Sequence, residues 1–170
     1  MRFLLILIAI IGILFSSCEK AKEYSPVPEI KFVSIEQIRG DDGIGNLVTI
    51  VKVRFSFVDG DGDLGLRVSD TLGEFAPGKP NYNNLKFQHY NKTEGKYILD
   101  ESIKNYFRFQ YIAKEETANK VLKGVMEAEL IFAYNSAIIY ADTSKLFFYI
   151  DDRALNKSNI EETPDFFLNQ

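Results

Sequence analysis

The chain reads as an all-β protein, a two-sheet antiparallel sandwich that follows a cleaved N-terminal signal helix. Three observations predict it. From Ile30 onward, apolar residues recur with period two much more often than with period 3.6. Val, Ile, Phe and Tyr dominate these runs, as a pleated, half-buried surface prefers. The segments between them carry the Gly, Pro, Asn and Asp of hairpins and corners. With 170 residues, 46% of them hydrophobic and 26% charged, the chain has room for one well-packed domain.

The first element is a leader. Phe3 to Phe15 is an unbroken apolar run behind the single charge of Arg2, the layout of a signal peptide. At about 1.5 Å per residue it spans roughly 20 Å, short of the ~30 Å hydrocarbon core, so cleavage is favoured over a permanent membrane span. The run closes on Leu14-Phe15-Ser16-Ser17-Cys18, and Cys18 is the only cysteine of the chain. This segment resembles the lipobox of bacterial lipoproteins, with Phe15 standing where leucine is commonest in that family. The resemblance implies that residues 1–17 are removed and Cys18 is acylated, making the lipid bilayer the first expected partner. Each buried CH₂ would contribute about 0.8 kcal/mol to anchoring. The alternative is an ordinary cleaved signal followed by an incidental cysteine. Without residues 1–17, 153 residues remain, carrying 19 basic and 24 acidic side chains.

Residues 18–29 are polar, then punctuated by Pro26 and Pro28, and read as a lipidated tether; the sandwich is expected over 30–170. Its clearest strand places Leu47, Val51, Val53, Phe55 and Phe57 on one face and Lys52, Arg54 and Ser56 on the other. A second runs from Met126 to Tyr134, and a third buries Leu146, Phe148 and Ile150. Shorter candidates are Lys31–Ile38, Leu85–Tyr90, Lys96–Leu99 and Tyr106–Ile112. Turns are expected at Gly40–Gly43, Pro77–Asn81 and Asn91–Gly95, and helical exceptions at Asp100–Asn105 and Lys114–Lys120. About seven strands in ~140 residues suit a sandwich. The stretch Phe148 to Asn159 resembles the last strands of bacterial immunoglobulin-like domains, with Leu155 where glycine is usual. That resemblance implies an immunoglobulin-like sandwich.

The densest chemical constellation is Asp59-Gly60-Asp61-Gly62-Asp63-Leu64-Gly65, directly after the best strand. Three carboxylates at alternate positions repel one another unless a cation draws them together. Calcium, which accepts six to eight oxygens in irregular geometry, suits such a loop. Asp70 lies eleven residues after Asp59, the spacing of the last ligand of an EF-hand loop, and joins Asp59, Asp61 and Asp63 as a candidate ligand. Leu64 stands at the sixth position, where an EF-hand needs glycine, and the flanks are not helical, so a helix-loop-helix sensor is not expected. Asp151 and Asp152 would complete the site if the fold brought them alongside. The competing reading is a solvated turn whose carboxylates bond to backbone N–H groups. The segment is similar to the aspartate-rich calcium loops of extracellular β domains. With Asp152-Arg153, Ser158-Asn159 and Thr163-Pro164 it also resembles small exported lipoproteins of the Bacteroidetes group, a likeness that implies an outer-membrane address, on the periplasmic or the surface face, and no particular activity.

Other signals are weaker. His89, the only histidine, shares a strand face with Leu85 and Phe87, the position of a packing side chain rather than a base. No Gly-x-Ser-x-Gly elbow supplies a nucleophile. The glycines of the Asp loop spell a phosphate motif, but the aspartates between them would repel phosphate. Arg39-Gly40-Asp41 is read as a chance tripeptide in a loop. Asp70-Thr71-Leu72 resembles the sequon that Bacteroidetes O-glycosylate, which makes Thr71 a candidate glycosylation site. Tyr82, Tyr90 and Tyr97 lie in or beside loops and are the candidate ligand-facing aromatics. A formal charge of −4 offers no field for nucleic acid. The expectation is therefore a non-enzymatic envelope lipoprotein, a binding or structural module with an envelope protein or glycan as partner and calcium as its cofactor. The alternatives are a small secreted hydrolase using carboxylates and an accessory subunit of an outer-membrane assembly.

Overall fold

The computed structural model describes residues 23–112, 121–133 and 143–168; the leader, Cys18 and the stretch Lys114–Lys120 lie outside them. Seven strands form among the described residues: β1 (Glu29–Asp41), β2 (Leu47–Asp59), β3 (Leu85–Thr93), β4 (Lys96–Phe107), β5 (Leu122–Ala133), β6 (Ser144–Ile150) and β7 (Glu161–Glu162). One sheet has the order β1-β2-β5 and the other β4-β3-β6-β7, with every pairing antiparallel. The second and fifth strands pair in one sheet and the third and sixth in the other, which is the immunoglobulin-like arrangement.

Period two fixes which residues meet between the sheets. Val51, Val53, Phe55 and Phe57 of β2 and Ala128, Leu130 and Phe132 of β5 face Leu85 and Phe87 of β3 and Leu146, Phe148 and Ile150 of β6. At the centre, Phe148 lies 5.2 Å from Phe55 across the sheets and 5.1 Å from Phe87, ring centre to ring centre. Antibody domains place a disulfide and a tryptophan on these same strands. A chain with one cysteine and no tryptophan fills the space with three phenylalanines. Leu47, expected inside, is 63% exposed at the outer end of β2.

The C-terminal residues that the sequence marks turn out to be structural substitutes for backbone. The Ser158 hydroxyl accepts from Ile150 N, and the Thr163 hydroxyl accepts from Leu146 N. Asn159 accepts from Ile30 N and donates to Ile30 O, so its amide closes the gap between the last strand and the edge of β1. Glu161 accepts from Phe32 N on the same edge. These side chains occupy an edge that would otherwise offer open N–H groups to another strand.

Three local expectations need correction. Asp100–Asn105 is not helical but part of β4, where the pairing of Lys104 and Asn105 with Gln88 and Phe87 of β3, and of Leu99 with Tyr90 ahead of them, overrides a weak helical composition. Tyr106–Ile112 is not a strand of its own: Tyr106 and Phe107 end β4, and Gln110 makes only an isolated bridge to Leu66. Arg39-Gly40-Asp41 lies inside β1, paired with Thr49, Val48 and Leu47, and the turn begins at Asp42. The Asn91–Gly95 turn is present as a tight hairpin in which Glu94 and Gly95 both take positive φ, 51° and 78°, the pattern that matches strand twist.

Candidate metal centre

Asp59 is the last residue of β2 and is completely buried. Its position follows from strand alternation, since it continues the inward face of Val53, Phe55 and Phe57. One of its oxygens, Oδ2, accepts from Leu64 N at 3.0 Å; the other, Oδ1, is buried without a hydrogen-bond partner. Leu64 and Leu66 are both fully buried and pin the loop to the core, which explains an apolar residue where an EF-hand has glycine. Leu66 then bonds to Phe109 O and receives Tyr111 N, both at 3.0 Å.

Two of the loop glycines have specific causes. A Cβ on Gly60 would collide with the carbonyl oxygens of Tyr24 and Ser25, because Gly60 N donates to Ser25 O at 2.9 Å. Gly65 has φ +91°, and a Cβ there would sit 2.5 Å from Gln110 O and 2.7 Å from Tyr111 Cα. The loop is thus wedged between the segment entering β1 and the segment leaving β4.

The third carboxylate arrives from the far end of the other sheet. Asp152 follows β6 and is 1% exposed. Its Oδ1 accepts from Asn156 N at 2.7 Å and its Oδ2 from Asn156 Nδ2 at 2.9 Å. Leu155 within this turn takes φ +67°, the conformation that makes glycine the usual choice there. One oxygen from each of Asp59, Asp63 and Asp152 lies within 4.8 Å of the others. Asp63 Oδ1, like Asp59 Oδ1, is buried without a hydrogen-bond partner. Asp61 is exposed at the rim and adds its negative charge to all three.

Burial and mutual repulsion disfavour ionisation here. Burial, with the charges of Asp61 and Asp63, raises Asp59 to about 7; burial, with Asp152 and Asp61, raises Asp63 to about 6; burial raises Asp152 as well. A hard divalent cation reverses this, because it takes carboxylate oxygens as ligands and cancels their charge. The donor set fits calcium: Asp59, Asp63 and Asp152 would hold the ion, with Asp61 on the open side.

The pH dependence of stability follows with a definite sign. The folded values of Asp59 and Asp63 stand above the unfolded value near 4, so between pH 4 and 7 the native state holds protons that the unfolded state has lost. Cation-free protein therefore loses stability as pH rises through that window, by roughly 4 kcal/mol from Asp59, at about 1.4 kcal/mol per unit. His89, whose folded value burial lowers, acts in the opposite direction below about pH 6.5. Urea unfolding in EGTA isolates the effect: between pH 4 and 8 the parent should lose several kcal/mol relative to an Asp59→Asn variant. Parallel profiles would contradict the shift.

Asp70 does not join the group. Its carboxylate accepts from Arg67 N at 2.8 Å and from Arg153 Nε at 3.1 Å, and these partners hold it below the usual carboxylate range against the cost of burial. On this strand-and-loop scaffold the eleven-residue spacing does not group Asp70 with Asp59 and Asp63, and Asp152 is the third carboxylate that lies with them. Asp151 points elsewhere, 2.6 Å from Lys86 Nζ. The sequence pointed to Asp152 only through its place at a strand end.

Thr71 is exposed between Asp70 and the 82%-exposed Leu72. Tyr82 carries the Arg108 guanidinium over its ring, 5.1 Å away. Tyr90 packs edge-on against Phe147 at 4.8 Å, and Tyr97 donates to Asp165 between Lys92 and Lys145. His89 is buried against Phe132, with Asp100 Oδ2 3.8 Å from its Nδ1. Among the described residues, no helix is long and apolar enough to cross a membrane. No family model, curated protein or solved structure matches the chain.

Proposed function

We propose that the chain is a lipid-anchored envelope lipoprotein whose sandwich is a non-enzymatic binding or structural module, braced by a calcium ion held between the Asp59–Asp63 loop and Asp152. The single observation that carries the calcium reading is the Asp59 carboxylate, completely buried with Oδ1 lacking any donor, beside two further carboxylates. Such an oxygen costs about 1–3 kcal/mol unless something positive meets it. The lipid anchor rests on the signal run and Cys18, and the outer-membrane address on the Bacteroidetes-type motifs.

Raised carboxylates also serve hydrolases, and the cluster is what that reading would use. Asp59 and Asp152 are buried instead of displayed where a substrate would meet them, which favours a cation over catalysis. Two measurements test the proposal, the first on the full-length protein in detergent and the second in cells that express it. Saturating CaCl₂, relative to EGTA, should raise the melting temperature by roughly 5–10 °C. Cys18→Ala should move the protein from the membrane to the soluble fraction and abolish labelling with palmitate. A melting temperature indifferent to calcium defeats the first half, and unchanged partitioning defeats the second.

A further inference from the structure

We infer that the outer face of the four-stranded sheet carries a binding site for a neutral saccharide, centred on a cleft that a bulge in β4 opens. The inference rests on the reading of the sandwich as a binding module and gives that module a ligand class.

The bulge is large. Opposite β3, the register of β4 jumps from Lys104, paired with Gln88, to Leu99, paired with Tyr90, which leaves residues 100–103 without ladder partners. Bulges of this kind re-aim side chains and gather beside functional sites. Asp100 locks the shape: its Oδ1 accepts from Ser102 N at 3.0 Å and from Ser102 Oγ at 2.5 Å, and its Oδ2 accepts from Asn91 Nδ2 at 3.1 Å.

The cleft beside it measures about 270 Å³ and is lined by Gln88, Leu99, Asp100, Glu101, Lys104 and Tyr106. That is just below the roughly 300–1,000 Å³ of pockets for drug-sized ligands, a size for one small ring. Its walls divide by chemistry. Leu99 and Tyr106 are 37% and 43% exposed and offer flat apolar surface. The side chains of Gln88, Glu101 and Lys104 make no hydrogen bond or ion pair among the described residues and offer donors and acceptors of both kinds.

Charge selects the ligand further. In the cleft Asp100 and Glu101 face the single cation Lys104, and along the same face Lys86 pairs with Asp151, Lys92 with Asp165 and Lys145 with Glu162. The one carboxylate left over in the cleft repels a polyanion, and the paired groups beside it form no acidic stripe to hold a polycation. What the face presents is the exposed ring of Tyr106 among fixed polar groups; in the same row across β3 and β6 lie Lys86 and Tyr149, whose ring carries the Lys86 and Lys157 ammonium groups 5.5 Å and 3.7 Å from its centre. A ligand that matches is rich in hydroxyls, carries apolar C–H faces and has no net charge. A neutral oligosaccharide has all three.

The test uses full-length protein in a detergent without sugar headgroups and titrates it with neutral tetrasaccharides of glucose, galactose, mannose and N-acetylglucosamine. Tetragalacturonate and tetraglutamate serve as charged probes, and saturation-transfer NMR and calorimetry supply the readouts. At least one neutral tetrasaccharide should bind. Tyr106→Ala and Gln88→Ala should each weaken it about tenfold or more. Both cleft variants should keep the parent's calcium-dependent melting shift, which shows them folded. The inference is overturned if no neutral tetrasaccharide binds, if only the charged probes bind, or if both cleft variants bind like the parent. Saccharide binding without a calcium response would overturn the metal reading alone. Cleavage of the bound tetrasaccharide, read by mass spectrometry, would uphold the site and overturn the non-enzymatic reading.

Discussion

Asp59→Asn should raise the melting temperature in EGTA at pH 8 and abolish the response to calcium. The two effects have opposite signs in the parent and the variant, which makes the result hard to imitate. Without an ion, Asp59 at pH 8 is a buried carboxylate that burial and its neighbours push up to about 7, so ionising it costs the fold several kcal/mol. Asparagine has the same shape, keeps an oxygen to accept from Leu64 N, and brings an amide that can donate to Asp63 or Asp152. The variant should gain roughly 2–4 kcal/mol in chelator. Calcium closes that gap and then reverses the order as its concentration rises, since binding stabilises the parent by about 2.7 kcal/mol at a hundred times Kd and about 4.1 kcal/mol at a thousand times Kd, and leaves the variant where it was. A solvated turn predicts neither change: its carboxylates would already be satisfied by water and backbone. A variant less stable than the parent in EGTA would show that Asp59 is held by partners other than a cation.

The second large effect lies in the core. Phe148→Ala should cost about 3–5 kcal/mol in urea or thermal unfolding, lowering the melting temperature by about 10 °C or more. The ring is fully buried and touches Phe55 of the opposite sheet and Phe87 of its own. No disulfide crosses the sandwich to share the load, because Cys18 is the single cysteine of the chain. The calcium-induced shift should persist on the lowered baseline. Phe148 packs on Phe55 and Phe87 whereas Asp152 is held by Asn156, and sites with no shared partners add. A loss under about 1.5 kcal/mol would mean that the sheets are not joined where the three rings place them.

The strands were legible wherever a face is buried by the opposing sheet. Val51 to Phe57 and Leu146 to Ile150 alternate because one side of each is core and the other is not. β4 was legible only at its start, Lys96–Leu99, for the same reason: as an edge strand it buries little, residues 100–103 have no partner in β3, and the composition there reflects solvent more than pairing. The Asp loop could be found from sequence because its three carboxylates are close along the chain. Asp152 could not be assigned that way, since only the juxtaposition of the ends of β2 and β6 brings it to Asp59. Counting residues led to Asp70 instead, which the fold gives to Arg153. The C-terminal residues Ser158, Asn159 and Thr163 stood out as a motif, yet their work is to bond the backbones of Ile150, Ile30 and Leu146. A recurring polar motif at the end of a sandwich can be a seam.

The central claim, a cation shared by Asp59, Asp63 and Asp152, is tested most directly by a crystal structure grown in CaCl₂ with anomalous data collected at long wavelength. The account predicts an anomalous peak among the three carboxylates, with oxygens at roughly 2.3–2.6 Å from it and Asp59 Oδ1 among them. A map with no peak there, in which a water or a shared proton bridges Asp59 to its neighbours, would contradict it.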